Sequence, residues 1–158
     1  MDSVFRWIES SALSVWTRES TSLVAYPAIL SAHAIGMGLV AGVNAAIALR
    51  LLGVAPGVPT LEMRRYAGVA WFGFVLNAVS GALLLIAYPT KALTNPMFYA
   101  KMSLVAVGLL LFAAVNKRLE QWTGTAQKRI AVALLVSWGG AIVAGRLLAY
   151  TYRRLMAG

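Results

Sequence analysis

Four long apolar stretches, separated by short polar connections, dominate the hydrophobic pattern of the chain. They lie at about residues 24–52, 66–88, 97–116 and 130–150. Each is about 20 residues or longer, which is enough for a helix to cross a bilayer core of about 30 Å. Short connections make neighbouring helices antiparallel. The pattern therefore predicts an all-α integral membrane protein, in which residues 22–158 form a four-transmembrane-helix bundle.

The N-terminal segment has a different pattern, in which apolar and charged positions fall on different sides of a helix. Ile8 and Trp16 lie on one side, whereas Arg6 and Glu9 lie on others. These charges also interrupt any apolar region of the kind found in a cleavable secretory signal. We expect residues 1–21 to form an amphipathic interfacial helix, which serves as a membrane anchor or as a lid over a pocket at that face.

Composition supports a membrane protein and excludes several kinds of chemistry. The chain is 60% hydrophobic and only 12% charged, with a mean hydropathy of +0.75, whereas about a quarter of the residues of a soluble domain are charged. It contains no cysteine, which excludes disulfides, thiolate metal sites and cysteine nucleophiles. No hydroxyl nucleophile has a base beside it in the sequence pattern, so hydrolytic chemistry is not expected.

The net charge of +9 comes from basic residues near the ends of the predicted spans. Such residues meet anionic headgroups, so membrane lipids are expected partners. No contiguous basic soluble domain exists to bind nucleic acid. Seven Lys and Arg residues lie in the connections after the first and third spans, and five lie on the opposite side. The positive-inside rule therefore predicts a multi-pass protein of the bacterial inner membrane with both termini in the periplasm.

The chain has a single histidine, His33, and it lies inside the first predicted span. Helical spacing places His33, Gly36, Met37, Val40 and Asn44 along one stripe. A polar stripe inside an apolar segment must face protein, water or a ligand, because lipid cannot satisfy it. The pattern therefore predicts an intramembrane site around His33.

Two cations are also expected inside the membrane, Lys101 in the third span and Arg146 in the fourth. Antiparallel threading places both in the same half of the bilayer as His33. The chain has five acidic residues, and none lies within a span. A buried cation without a partner is costly, so each must reach the headgroups, lose its proton in the case of lysine, or meet an anionic or metal-bearing ligand.

Three roles remain open for His33. It could form a structural hydrogen bond between helices, act as the axial ligand of a haem or another metal, or take part in proton relay or quinone binding. With one histidine in the chain, two histidines of one subunit cannot ligate the same haem. The second axial position would need water, Met37, Met102, Lys101 or another subunit. A zinc site is not expected, since no other typical ligand lies nearby.

Other small and polar residues predict helix contacts. We expect Asn44 of the first span to pair with Asn77 of the second near the middle of the membrane. Gly38 and Gly42 form a GxxxG pair, which is typical of close helix packing and of dimerisation in membranes.

One segment resembles a known family. The sequence FYAKMSLV at residues 98–105, followed by an apolar helix, is similar to the third-helix pattern of the HemJ family, and the sequence AHAIG at residues 32–36 is compatible with its first helix. HemJ proteins are small bacterial membrane proteins that oxidise protoporphyrinogen IX and hold a b-type haem. The resemblance implies that His33 and Lys101 correspond to the key histidine and lysine of that family.

Two positions depart from the family pattern. HemJ proteins have a histidine where this chain has Asn116, and another near the end of the first helix, where residues 48–53 read ALRLLG. These replacements argue against the enzymatic activity of the family. The layout also resembles other small four-helix membrane proteins of bacteria and, more distantly, the membrane domain of CopD-type copper proteins.

Together these features predict binding of b-type haem or a porphyrin, with a redox or electron-transfer role. The candidate cofactor-binding residues are His33, Lys101, Arg146, Met37 and Asn77, and His33 is the candidate metal ligand. A quinone is the alternative ligand for this intramembrane site. The alternative is a non-catalytic auxiliary subunit, or a small-molecule or copper transporter, within a larger membrane complex. Either function is compatible with a homo-oligomer.

Overall fold

A computed structural model describes residues 2–118 and 122–155, most of which are helical, with no strand among them. The elements are α1 (Asp2–Glu9), α2 (Ala12–Glu19), α3 (Tyr26–Leu51), a 3-10 helix (Thr60–Tyr66), α4 (Ala67–Ala87), α5 (Pro89–Leu93), α6 (Pro96–Arg118) and α7 (Gly124–Leu155).

Four of these elements are long and apolar enough to cross a membrane. They are α3, α4 together with the 3-10 helix before it, α6, and α7 as far as Thr151. The prediction of an all-α four-helix membrane bundle is therefore confirmed.

The fourth span begins at Gly124, six residues earlier than the predicted start at residue 130. The polar and basic residues at 125–129 lower the local hydropathy, but they are compatible with a helix. One of them, Gln127, donates a hydrogen bond from Nε2 to the carbonyl of Leu51 at 2.9 Å. The early start of α7 therefore satisfies a backbone acceptor at the C-terminus of α3.

The ends of α3 follow local sequence signals. Pro27 lies in its first turn, where a missing N–H costs little. Past its last turn, Gly53 adopts a φ of +98°, a left-handed conformation that glycine accepts without strain. Both ends of the first span are thus set by the sequence.

Helix α3 packs mainly against α4, and α6 packs mainly against α7, while contact between α3 and α7 joins the two pairs. The order around the bundle is therefore α4, α3, α7, α6. The hydrophobic core lies where α3 ends and α7 begins, and Val40, Ala48, Phe112, Leu134 and Trp138 are among its buried members. We call the other end of the bundle, where α3 begins and α5 lies, the α5 end.

Helices α3 and α4 approach each other closely at Gly36 of α3 and Gly73 of α4. A Cβ added at Gly36 would lie 2.6 Å from the amide nitrogen of Asn77 and 2.7 Å from the carbonyl oxygen of Gly73. The predicted pair Gly38 and Gly42 has no heavy atom of another helix within 4 Å of an added Cβ. Close packing of α3 is therefore confirmed, but it uses a different glycine.

The N-terminal segment forms two helices instead of the single predicted helix. The chain breaks at Ser11, whose hydroxyl accepts a hydrogen bond from the amide of Ser14 and caps α2. Ser14 and Thr17 are fully buried. Arg18 donates hydrogen bonds to the carbonyl of Ala87 at 3.2 Å and to that of Glu9 at 3.0 Å. These contacts fasten α1 and α2 to the C-terminus of α4.

Candidate functional site

A cavity of about 540 Å³ occupies the α5 end of the bundle, opposite the hydrophobic core. It lies between α4 and α6, and residues of α3 and α7 also line it. Most of the lining is apolar. The side chains with polar groups are Tyr26, His33, Asn77, Tyr88, Lys91 and Lys101. No carboxylate lines the cavity among the described residues.

The imidazole of His33 is oriented by α4. Its Nδ1 lies 3.1 Å from the carbonyl oxygen of Asn77 and 3.2 Å from the hydroxyl of Ser80. That hydroxyl donates to the carbonyl of Leu76 at 2.6 Å. Because a carbonyl can only accept, the network assigns the proton to Nδ1, which donates to Asn77. The lone pair of His33 is therefore on Nε2.

The Nε2 atom of His33 faces Lys101. The ammonium nitrogen Nζ lies 3.2 Å from Nε2, so the lysine donates a hydrogen bond to the imidazole. The predicted convergence of His33 and Lys101 is thus confirmed, across 68 residues of sequence. The pair joins α3 to α6 within the cavity wall.

Two glycines make room for this pair. A Cβ added at Gly81 of α4 would lie 3.0 Å from Cε1 of His33, which would press on the ring. The side chain of Lys101 runs past Gly145 of α7, with its Cδ 3.5 Å from the position of an added Cβ. Small residues at these two positions therefore fit the helices closely around the two nitrogen-bearing side chains.

Asn77 is part of the site, but its partner differs from the prediction. Its Nδ2 donates to the backbone carbonyl of His33 at 2.8 Å, which adds a second hydrogen bond between α3 and α4. The predicted partner, Asn44, is fully buried elsewhere and donates to the carbonyl of Val40 within its own helix. The expected pairing of Asn44 with Asn77 is therefore wrong.

Two predicted site residues lie outside the cavity. Arg146 is exposed, and its guanidinium carbon lies 5.1 Å from the centre of the Tyr150 ring. This is the position of a side chain that reaches toward the membrane surface. Met37 is half-buried and packs against the hydrophobic core. Neither residue lines the space that His33 faces.

We call the part of the cavity at the start of α3 and the end of α4 its mouth. Three residues there were not selected as site residues from the sequence, namely Tyr26, Tyr88 and Lys91. The rings of Tyr26 and Tyr88 meet edge to face, with centroids 6.1 Å apart. The ammonium of Lys91 lies 5.8 Å from the centre of the Tyr88 ring. Aromatic and basic residues at the ends of the spans were the available signal, but this pattern is also typical of membrane anchoring.

One flank of the cavity is open. Ala78 and Ala82 of α4 and Met102 and Ala106 of α6 line the cavity and are themselves exposed. They lie within the apolar lengths of two helices that are long enough to span a membrane. The cavity is therefore open on the apolar flank between α4 and α6.

The described residues contain no group of three or more His, Cys, Asp or Glu side chains that could hold a metal ion. A metal at His33 would need further ligands from another source, such as the ring of a macrocycle. Comparison of the chain with protein-family models, with curated proteins and with solved structures gives no match.

Proposed function

We propose that this protein binds a b-type haem or a related porphyrin in the cavity and has a redox or electron-transfer role in the bacterial inner membrane. One observation carries the proposal. His33 lines the apolar cavity, its imidazole is fixed through Nδ1 to a backbone carbonyl, and its unprotonated Nε2 accepts a hydrogen bond from Lys101. The basic residues at the opposite end of the bundle favour a periplasmic location for the cavity.

The donor set fits such a cofactor. A histidine that ligates a metal usually donates its other N–H to a carbonyl or carboxylate, which fixes the tautomer. His33 has this arrangement with Asn77. Lys101 provides a second nitrogen or a cation for a carboxylate of the ligand. When bound, a haem would supply one-electron chemistry, whose potential depends on its axial ligands and on burial.

The cavity has the size and polarity of a ligand site. Pockets for small molecules and cofactors enclose about 300–1,000 Å³ and are mostly apolar, with a few convergent polar groups. The cavity of about 540 Å³ is within this range. Its polar groups are concentrated at His33 and Lys101 on the wall and at the mouth. An amphiphilic ligand with an apolar ring system matches this distribution.

The resemblance to the HemJ family supports haem binding but not the reaction of that family. The two residues that correspond to its key histidine and lysine, His33 and Lys101, lie together. Asn116, which replaces another histidine of that family, lies at the far end of α6 and donates to the carbonyl of Phe112. We therefore limit the proposal to haem or porphyrin binding with electron transfer.

The first test is an optical difference spectrum of the detergent-purified protein, dithionite-reduced minus oxidised, before and after addition of haemin. We expect sharp α and Soret bands at about one haem per chain. The Met37→Leu variant is the matched control, because it removes a potential sulfur ligand while roughly conserving core volume. It should leave the bands unchanged. A flat spectrum in the wild-type protein, with no recovery upon addition of haemin, would overturn haem binding.

A second candidate function is binding or transport of a membrane-dissolved small molecule such as a quinone, as part of a larger complex. The observation that favours it is the opening between α4 and α6, through which such a molecule could enter. It predicts a flat haem spectrum together with a lipid-soluble molecule that copurifies with the wild-type protein. Mass spectrometry of organic extracts measures this directly.

Either function predicts that closing the lateral opening impairs ligand uptake. Ala106→Trp places an indole in the flank of the cavity, and we expect occupancy to fall to about a tenth of that of the wild-type protein. The matched control is Val107→Trp, because Val107 is 47% exposed and does not line the cavity. Equal occupancy in both variants, measured after incubation with ligand-loaded vesicles, would contradict entry between these helices.

A further inference from the structure

Helix α2 presents polar side chains to the bundle and apolar side chains outward. Ser14 and Thr17 are fully buried, whereas Leu13 and Trp16 are each 44% exposed. An amphipathic helix on the surface of a soluble domain has the opposite arrangement, with its apolar side against the core. The arrangement of α2 is unfavourable for a helix whose outer side faces water.

The rotation of α2 about its axis is set by polar contacts on its inner side. Ser14 donates from its hydroxyl to the carbonyl of Ala87 at 3.5 Å, and Thr17 donates to the carbonyl of Leu13 at 2.8 Å. Arg18 also donates to the carbonyl of Ala87. These bonds satisfy the buried hydroxyl groups. The outward position of Leu13 and Trp16 follows from them.

The position of α2 in the fold places it where the spans meet the membrane surface. Ala87, which accepts the bonds from α2, is the last residue of α4 and of the second span. After α2, residues 20–25 lead directly into α3, the first span. A tryptophan suits this level of a bilayer, because its ring is apolar and its indole N–H reaches the polar headgroup layer.

The apolar surface of α2 continues onto the first span. Leu23, in the connection, is 80% exposed, Val24 beside it is also exposed, and Leu30 is exposed on α3. The outer surface of a spanning helix is covered by lipid. The exposed apolar side chains therefore run without interruption in sequence from α2 to a surface that lipid covers.

We infer that Leu13 and Trp16 form a lipid-docking surface, through which α2 inserts into the interface of the bilayer that the spans cross. The partner is the surrounding lipid, with its acyl chains against Leu13 and its headgroup layer against the indole of Trp16. Polar contacts on one side and lipid on the other then hold α2 against the end of α4. Of the two roles open for the N-terminal segment, anchor or lid, this inference assigns the anchor. It does not depend on the ligand of the cavity.

The test measures the depth of α2 in a bilayer. The chain contains no cysteine, so Leu13→Cys and Trp16→Cys can each carry a single nitroxide label. After reconstitution into phosphatidylcholine nanodiscs, electron paramagnetic resonance compares label collisions with oxygen, which concentrates in lipid, and with a water-soluble nickel complex. Val79→Cys, exposed on α4, is the lipid reference, and Val58→Cys, exposed in the connection after α3, is the aqueous reference.

We expect both α2 labels to collide mainly with oxygen and to lie about 5–10 Å below the headgroup surface, the depth typical of interfacial helices. Collision with nickel at the level of the Val58→Cys label would place α2 in water and overturn the inference. Exclusion of both reagents would mean that protein covers this surface, which would overturn it too. Dipolar broadening between labels would then identify a second copy of the chain as the cover.

A second measurement uses trypsin cleavage after Arg18 in the same nanodiscs. Replacing both Leu13 and Trp16 with glutamine removes the apolar contact with lipid but keeps a good helix former at each position. We expect cleavage to be about tenfold faster, the factor for loss of a partly buried apolar side chain. The matched control is Ala12→Gln on the same helix, which should leave the rate unchanged. Equal rates in the double variant and the wild-type protein would contradict docking through these two residues.

Discussion

Replacing Gly36 with alanine is expected to lower the free energy of unfolding by about 3 kcal/mol, the upper part of the range for overpacked cores. The added methyl group would lie 2.6 Å from the backbone nitrogen of Asn77 and 2.7 Å from the backbone oxygen of Gly73. Backbone atoms cannot rotate away as a side chain can, so α3 and α4 must separate. Thermal unfolding in detergent, followed by circular dichroism, measures the loss.

The control for this variant is two residues away on the same helix. Gly38 has no heavy atom within 4 Å of an added Cβ, so Gly38→Ala should be neutral or stabilising by up to about 1 kcal/mol, the difference in helix propensity. Equal losses in the two variants would contradict the observed rotation of α3. Because Gly36 packs against Asn77, the damaging variant should also weaken ligand binding at His33.

The architecture could be predicted from the sequence because the bilayer imposes length and hydropathy on every span. The four apolar stretches correspond to α3, α4, α6 and α7. The same antiparallel threading brought His33 and Lys101 to one level, and the structure places them 3.2 Å apart. Depth along a spanning helix is readable from sequence, since each residue contributes a fixed rise.

The rotation of each helix about its axis could not be predicted in the same way. In a soluble protein the apolar face of a helix points to the core, but in a membrane lipid and core are equally apolar, so the pattern carries little information about orientation. The polar residues His33 and Asn44 did mark the inner face of α3, on which Gly36 packs closely. The GxxxG spacing of Gly38 and Gly42 instead indicated a face where nothing lies within 4 Å of an added Cβ. Gly145 contacts Lys101, whereas the neighbouring Arg146 is exposed.

The cavity mouth was missed for a related reason. Tyr88 and Lys91 lie beyond the end of α4, where aromatic and basic residues also serve as membrane anchors. Their place at the mouth depends on α5, a helix of five residues that lies within one of the short connections between the predicted spans. The contacts of Arg18 with Ala87 and of Glu9 with Thr90 position this helix. Such long-range backbone contacts leave no periodic signal in the sequence.

The largest functional effect is expected from His33→Ala. It removes the imidazole that lines the cavity and accepts a hydrogen bond from Lys101, whereas the backbone carbonyl of Asn77 and the amine of Lys101 remain. We expect the affinity for haemin to fall by at least about 100-fold, since loss of even an outer partner of a metal ligand can cost 10- to 100-fold. The Soret band of the purified variant should disappear. Haemin titration, followed by absorption, gives the ratio of the dissociation constants.

A structural role for His33 would give a different result, which the controls distinguish. Ser137→Ala removes another buried polar group of a spanning helix, one that bonds only to the carbonyl of Ala133 in its own helix, and it should leave haemin affinity unchanged. Millimolar imidazole should restore the Soret band of His33→Ala by occupying the space of the missing ring. If imidazole fails to restore the Soret band, and the variant also unfolds at a much lower temperature than the wild-type protein, then His33 holds α3 to α4 and does not ligate a haem.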